Sequence, residues 1–248
     1  MNIISSRLLR SSGLVTFGIS TRQGGVSPGP LRMNLSFNVG DAKEIVEQNR
    51  YLFAQALGFE VDRLAIPVQV HSNIVKRADI SGSYASCDGL VTDVPGVYLC
   101  VSVADCIPIF LMDVDQKAAA AIHAGWRGTA ARISESGVEM LVDEFRCRPE
   151  RMVAFVGPGA GKCCYSVGED VATKFSHEFV REERGKIYVD LKAANVSQLL
   201  DMGLSREMIE VSPYCTIDEA NLLHSYRRDG ARSGRMMGVI GLKTDPVR

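Results

Sequence analysis

Between residues 64 and 122 the chain sets down a series of short apolar runs: LAIPVQV (64–70), DGLVT (88–92), VYLCVSV (97–103), IPIFLM (107–112) and AAAAI (118–122). Runs of this length bounded by turn-forming residues are strands, and several follow one another closely enough to be hairpin neighbours. Helices do not alternate one-for-one with them, which argues against a doubly wound parallel sheet. The expected architecture is α+β, a layered mixed β-sheet with flanking helices.

The flanking segments fit that scheme. LVTFGIS (14–20) reads as a strand, and TRQGGVSPGP after it, dense in Gly and Pro, as a loop with one cation, Arg22. Asp41 can cap a helix over 42–57, where Ile45, Val46, Leu52, Phe53 and Leu57 recur at roughly helical spacing and Gly58 supplies a stop. A second helix is expected over 129–145, a strand at 152–156, a third helix near 168–180, a fourth from Asp190 to about 202, and a last strand near 236–242. No linker, low-complexity tract or repeat interrupts the series, so one domain is expected over 1–248.

Composition narrows the class of partner. With 28 Lys and Arg against 29 Asp and Glu the net charge is −1, which gives no bulk attraction to nucleic acid or to an anionic membrane. The longest apolar stretch, Val97 to Met112, contains Asp105 and is shorter than the roughly 20 residues of a membrane helix. The N-terminal MNIISSRLLRSSG has no secretory h-region, and the seven cysteines contain no C-x-x-C pair. A cytoplasmic chain with reduced thiols, acting on a small molecule, is the expectation.

Chemistry concentrates at the ends of the strands. His71 follows LAIPVQV, Cys106 follows VYLCVSVAD, and His123 follows AAAAI. Three soft or borderline donors at three strand ends can meet at one zinc ion, and three protein ligands leave the fourth position open, as in catalytic sites. HAGWRG puts two glycines, the single tryptophan and Arg127 directly after His123, too sharp and too polar a turn for core packing alone. Asp105 lies beside Cys106 in apolar surroundings and needs a partner, either an arginine or a ligand's ring N–H; capping backbone at the turn is the equal alternative.

The segments STRQGGVS (20–27), NL (34–35), QVHS (69–72), CDGLVT (87–92), ADCIPI (104–109), HAGWRG (123–128), VGPGAG (156–161) and SYRRDG (225–230), with GD (40–41) and NR (49–50), resemble the YfiH/LACC1 family along nearly the whole chain. That family has been called laccase-domain and multicopper polyphenol oxidase, and is now described as purine nucleoside phosphorylase and adenosine deaminase. The resemblance implies zinc held by His71, Cys106 and His123, the same residues that the strand ends suggest. It also implies phosphorolysis of adenosine, inosine and methylthioadenosine and deamination of adenosine to inosine. Some bacterial relatives are described as peptidoglycan-precursor editing factors. Catalytic candidates are therefore Cys106, His71, His123 and Asp105. Arg22, Asn34, Arg127 and Arg227 are candidates for binding nucleoside and phosphate, the arginines being equally consistent with surface cations.

Other patterns fail or stay open. GPGAGK (157–162) lacks the Gly at 156 and the Ser or Thr at 163 of a phosphate loop, and Lys162 breaks a dinucleotide fingerprint. Cys163–Cys164 reads as core packing, His177 as solvent-facing and His224 as structural. Copper is disfavoured, because four separated histidines cannot supply a multicopper centre. A cysteine hydrolase with Cys106 as nucleophile and His71 or His123 as its base shares every residue with the zinc reading and stays open.

Overall fold

A computed structural model describes residues 1–244. The N-terminal part comprises β1 (Ile3–Ile4), α1 (Arg7–Ser11), β2 (Val15–Ser20), α2 (Lys43–Leu57) and β3 (Leu64–Pro67). Six strands follow, β4 (Val75–Arg77), β5 (Gly82–Tyr84), β6 (Gly89–Thr92), β7 (Tyr98–Val103), β8 (Ile107–Asp113) and β9 (Ala118–Ala124). Next come α3 (Trp126–Ala130), α4 (Ile133–Phe145), β10 (Met152–Val156), β11 (Ser166–Val167), α5 (Glu169–Ala172), β12 (Val180–Glu183) and β13 (Lys186–Val189). The C-terminal part holds α6 (Leu191–Asp201), β14 (Ile209–Val211), α7 (Tyr226–Asp229) and β15 (Met236–Leu242).

The strands assort into two mixed six-stranded sheets, β1-β2-β15-β7-β3-β5 and β14-β10-β8-β9-β6-β4, and a small sheet β11-β13-β12. Consecutive residues of a strand face opposite sides, and here both sides are buried. Phe110, Met112, Ala119, Ala121, Val153 and Phe155 of the second sheet meet Phe17, Ile19, Leu99, Val101 and Ile240 of the first in one apolar layer. Their neighbours Ile107, Ile109, Leu111, Ala120, Ile122 and Ala154 face outward onto Val138 and Leu141 of α4 and Leu199 of α6. On the far side Cys100, Met237 and Val239 pack on Phe53 and Leu52 of α2. The result is α/β/β/α layering, the α+β class expected. Burial of both sheet faces explains why the strands read as continuous apolar runs without polar alternation. The chain passes from the first sheet to the second in the tight connection between β7 and β8, at Ala104–Cys106.

Several expectations are corrected. The helix expected over 129–145 is two helices, because Arg132 adopts φ +62° between α3 and α4. Of the helix expected at 168–180 only Glu169–Ala172 is α-helical, with a separate 3-10 turn at His177–Phe179. Beyond it β12 and β13 form a hairpin through Arg184 and Gly185, both with positive φ, the geometry of a two-residue hairpin turn. Asp41 is not the cap of α2. That position is Ala42, and the Asp41 carboxylate instead accepts from Ser27 Oγ at 2.6 Å and Asn34 Nδ2 at 3.0 Å. Asp190 does cap α6, accepting from the Ala193 N–H, and Gly58 ends α2 in the left-handed region. Among the described residues no helix is long and apolar enough to cross a membrane.

Candidate metal centre

The centre is organised by a residue that the motif analysis did not single out. Asp88, fully buried just before β6, accepts hydrogen bonds from the N–H groups of Val70 (3.1 Å), His71 (2.9 Å) and Ser72 (2.7 Å) and from Ser72 Oγ (2.8 Å). The segment after β3 is thus wound around a carboxylate. The wrapping holds His71 at φ +60°, the left-handed region that few residues other than glycine occupy. The same carboxylate lies 2.8 Å from His123 Nδ1. Burial would raise the Asp88 pKa, but His123 and Ser72 outweigh it and hold the group well below the usual carboxylate range. An ionised Asp88 has no proton to give, so His123 Nδ1 carries the hydrogen and Nε2 is left as a donor atom.

His71, Cys106 and His123 converge, their ligand atoms all lying within 4.8 Å of one another. The two imidazoles stand edge to face, 4.9 Å between centroids and 86° between planes. Cys106 is delivered by the inter-sheet connection and His123 by the end of β9, so both main sheets contribute. Burial would raise the Cys106 thiol, yet the two histidines draw it down to about 6. Burial would likewise lower His123, but Cys106 and Asp88 raise it to about 9. The Cys106 sulfur and the His123 imidazole thus share a proton that a cation can replace.

Gly125, between His123 and Trp126, forms the adjoining wall. A Cβ there would stand 3.0 Å from His71 Cδ2 and 3.1 Å from Cys106 Sγ, so glycine leaves room for the convergence. Two nitrogens and one sulfur, a carboxylate orienting one histidine, and an open side suit a mononuclear zinc site. The donors do not suit a multicopper centre. His177 is exposed near the small hairpin, and His224 is buried with both ring nitrogens unpartnered, so neither joins the cluster.

The open side gives onto a cavity of about 750 Å³ with His71, Cys106 and His123 in its lining. Its walls are aromatic (Phe37, Trp126, Tyr165, Tyr226) and cationic (Arg50, Arg227, Arg235). Arg227 donates through Nη1 to the Ser166 carbonyl and lies 4.7 Å from the Tyr165 ring centroid. Arg50 lies 4.3 Å from the Phe37 centroid, and burial lowers the pKa of both Arg50 and Arg235. Neither Arg50 nor Arg235 carries an expected role: Arg50 falls in the NR pair (49–50) on the polar side of an amphipathic helix, and Arg235 is a loop residue before a strand.

Of the remaining candidates Asp105 also lines the cavity, whereas Arg22, Asn34 and Arg127 do not. Asp105 Oδ1 accepts from Thr216 Oγ1 at 2.6 Å and Oδ2 from the Arg227 N–H at 2.7 Å, so of the two roles open to it the backbone cap is the one adopted. These bonds hold Asp105 at φ +93° and tie the C-terminal segment to the turn that presents Cys106. Arg22 donates to the carbonyls of Ala220 and Pro30 and does not line the cavity. Asn34 binds Ser36, Asp41 and the Arg235 N–H, which supports the cavity wall without forming it. Arg127 is exposed, its guanidinium 4.3 Å from the Trp126 ring centroid, also outside the lining.

Comparison with known proteins gives a consistent picture. Residues 16–243 match the family model described as multi-copper polyphenol oxidoreductase laccase. A purine nucleoside phosphorylase of Deinococcus radiodurans is 42% identical over 241 residues, covering 95% of this chain and 92% of that protein. Adenosine deaminase RL5, from an unknown prokaryotic organism, is 35% identical over 82% of this chain and 84% of its own. The crystal structure of YlmD from Geobacillus stearothermophilus superposes with a TM-score of 0.88 at 33% identity, covering 93% of this chain and 92% of that one.

Proposed function

The chain belongs to the family described as multi-copper polyphenol oxidoreductase laccase, and from that premise we propose that it is a zinc-dependent purine nucleoside enzyme, phosphorolysing adenosine, inosine and methylthioadenosine and deaminating adenosine to inosine. The reading follows the names of the relatives, purine nucleoside phosphorylase and adenosine deaminase. The observation that carries it is the convergence of His71, Cys106 and His123 within 4.8 Å beside a cavity with both aromatic and cationic walls.

His71, Cys106 and His123 would hold the zinc, which when bound supplies a Lewis acid able to activate water near neutral pH. The residues around it divide the remaining work. Asp88 keeps the His123 proton on Nδ1 and thereby keeps Nε2 directed at the centre. Phe37, Trp126, Tyr165 and Tyr226 offer apolar faces to a purine. Arg50, Arg227 and Arg235 form the cationic part of the wall, where a phosphate oxygen attacking C1′ as the bond to the base breaks would be held and screened. Free thiols throughout the chain suit a reducing, cytoplasmic setting.

The test is to incubate the enzyme with each nucleoside, with and without phosphate, and to separate the products. Adenine with ribose 1-phosphate should require phosphate, whereas inosine should form without it. Adenine released equally fast without phosphate refutes phosphorolysis.

A second reading has its own observation. The chain Asp88–His123–Cys106, with the thiol drawn down to about 6, is also the arrangement of an oriented base beside a nucleophilic cysteine. A cysteine hydrolase of this kind would act on an amide, such as that of a peptidoglycan precursor. Metal content separates the two: stoichiometric zinc in active protein favours the first, and full activity in metal-free protein the second.

A further inference from the structure

Behind the Tyr165 wall lies a second cluster of ligand-type side chains. Cys163, Cys164, Cys215 and Asp218 bring four ligand atoms within 4.8 Å of one another. Cys163 Sγ is 3.2 Å from Cys164 Sγ and 3.1 Å from Asp218 Oδ2, and Cys164 Sγ is 3.0 Å from Asp218 Oδ1. Cys215 is buried and accepts from the Gly161 N–H at 3.2 Å. Two separate segments build the cluster. The turn after β10 supplies Cys163 and Cys164, the segment after β14 supplies Cys215 and Asp218, and a parallel bridge between Gly159 and Cys215 holds the two in register.

We propose that Cys163, Cys164, Cys215 and Asp218 form a second, structural zinc site, distinct from the centre at His71, Cys106 and His123. The donor set selects the metal. Three sulfurs alone would also suit Cu(I), but a carboxylate in the fourth position favours a borderline cation that accepts both sulfur and oxygen. Geometry agrees, since sulfurs of a tetrahedral site with Zn–S of about 2.3 Å lie about 3.8 Å apart, within the range spanned by the cluster. The neighbourhood leaves room for the sulfurs: a Cβ on Gly161 would stand 3.2 Å from Cys163 Sγ and 3.3 Å from Cys215 Sγ. A cation also sits close by. Lys192 Nζ donates to the carbonyls of Ser212 and Tyr214, just before Cys215, and offsets part of the negative charge of a thiolate-rich site.

The position indicates what such an ion would do. Tyr165, next to Cys164, lines the cavity, and Thr216, next to Cys215, donates to Asp105 at the turn that carries Cys106. An ion held by both segments would fasten the Tyr165 wall to the segment that braces the Cys106 turn through Thr216. It would act on the first centre only through position, with all four of its own coordination places filled by protein.

The experiment is a zinc titration of metal-free, fully reduced protein. The unaltered chain should bind about two equivalents, and a His71→Ala/Cys106→Ala variant and a Cys163→Ser/Cys164→Ser/Asp218→Asn variant about one each. Circular dichroism establishes that each variant is folded. Cobalt(II) titration of the unaltered chain supplies a readout that needs no variant. One class of ion should show sulfur-to-cobalt charge transfer about three times as intense as the other, in keeping with three thiolates against one. A total of one zinc that the folded Cys163→Ser/Cys164→Ser/Asp218→Asn variant retains, loss of all zinc from the folded His71→Ala/Cys106→Ala variant, or a single-thiolate spectrum for every bound cobalt overturns the proposal. Because the second zinc is counted without any nucleoside, failure here leaves the nucleoside assays untouched, and the reverse holds as well.

Discussion

Asp88→Asn should damage the first centre more than any change of similar size that leaves its ligands intact. The carboxylate accepts five hydrogen bonds, two at Oδ1 (His71 N–H and His123 Nδ1) and three at Oδ2 (Val70 N–H, Ser72 N–H and Ser72 Oγ). An asparagine can keep only one of those oxygens. If its NH2 takes the Oδ2 position, buried amide donors face a donor. If it takes the Oδ1 position, His123 must become the acceptor at Nδ1, which moves its proton to the metal-facing nitrogen. Each buried donor left unmatched costs about 1–3 kcal/mol, so a loss of roughly 3 kcal/mol in unfolding free energy is expected. Loss of an outer-shell partner of this type weakens metal binding about 10–100-fold. Urea melts of the metal-free protein and zinc competition against a chromogenic chelator measure the two quantities separately. If Asp88→Asn held zinc as tightly as the unaltered chain and melted at the same urea concentration, the reasoning that this carboxylate builds the site would be refuted.

Other outcomes follow from the same geometry. Cys106→Ala, His71→Ala and His123→Ala should each lower zinc content and turnover together, whereas His177→Ala should change neither; Cys106→Ala with full zinc and no turnover would favour the nucleophile reading. Gly125→Ala should reduce zinc occupancy while leaving the far-ultraviolet circular dichroism unchanged, because its Cβ meets His71 and Cys106 rather than the core; normal occupancy counts against that wall. Arg235→Ala should raise the KM for phosphate by about tenfold or more, as loss of one charged contact does, and Arg127→Ala should raise it less; equal effects would remove the distinction between cavity and surface arginines. Burial draws His224 down to about 3 in the folded chain, from an ordinary value of 6.5. The unfolded chain therefore takes up the proton first as pH falls, and the stability due to neutral His224, complete above 6.5, declines toward pH 3 by up to about 1.4 kcal/mol per pH unit. His224→Gln should flatten that slope in denaturation midpoints measured between pH 7 and 5, and an unchanged slope would exclude His224 as its source.

The strands and the three clustered donors His71, Cys106 and His123 were legible because each rests on short-range signals: apolar runs ended by turns, and rare residue types standing at those ends. Asp190 and Gly58 were legible for the same reason, since a cap acts within a few residues. Asp88 was not. Its five donors come from segments 16 to 35 residues away, and within CDGLVT an aspartate before a glycine reads as an ordinary turn residue. Of the cationic wall only Arg227 was legible, because Arg50 and Arg235 come to line one cavity only once α2 and the segment before β15 are in place. The third helix was over-extended because the charges of 168–180 resemble a helix surface, whereas the chain turns after Ala172 and passes through a short 3-10 turn at His177–Phe179 into β12 at Val180. Cys163 and Cys164 looked like core filler until the segment after β14 came alongside them.

The β7–β8 connection crosses from one sheet to the other, and it carries Cys106 between a histidine that follows a strand of the first sheet and a histidine on the second. An ion bound there is a rivet through both layers, and unfolding must release it. Its binding free energy is then added to that of the apolar layer, growing as RT ln(1 + [Zn]/Kd), about 1.4 kcal/mol for each tenfold rise in free zinc above the dissociation constant. Melting temperature measured against buffered free zinc should therefore climb logarithmically. On the zinc proposal the lifetime of the folded chain in a cell would follow zinc supply, and scarcity would remove the protein along with any zinc-dependent activity.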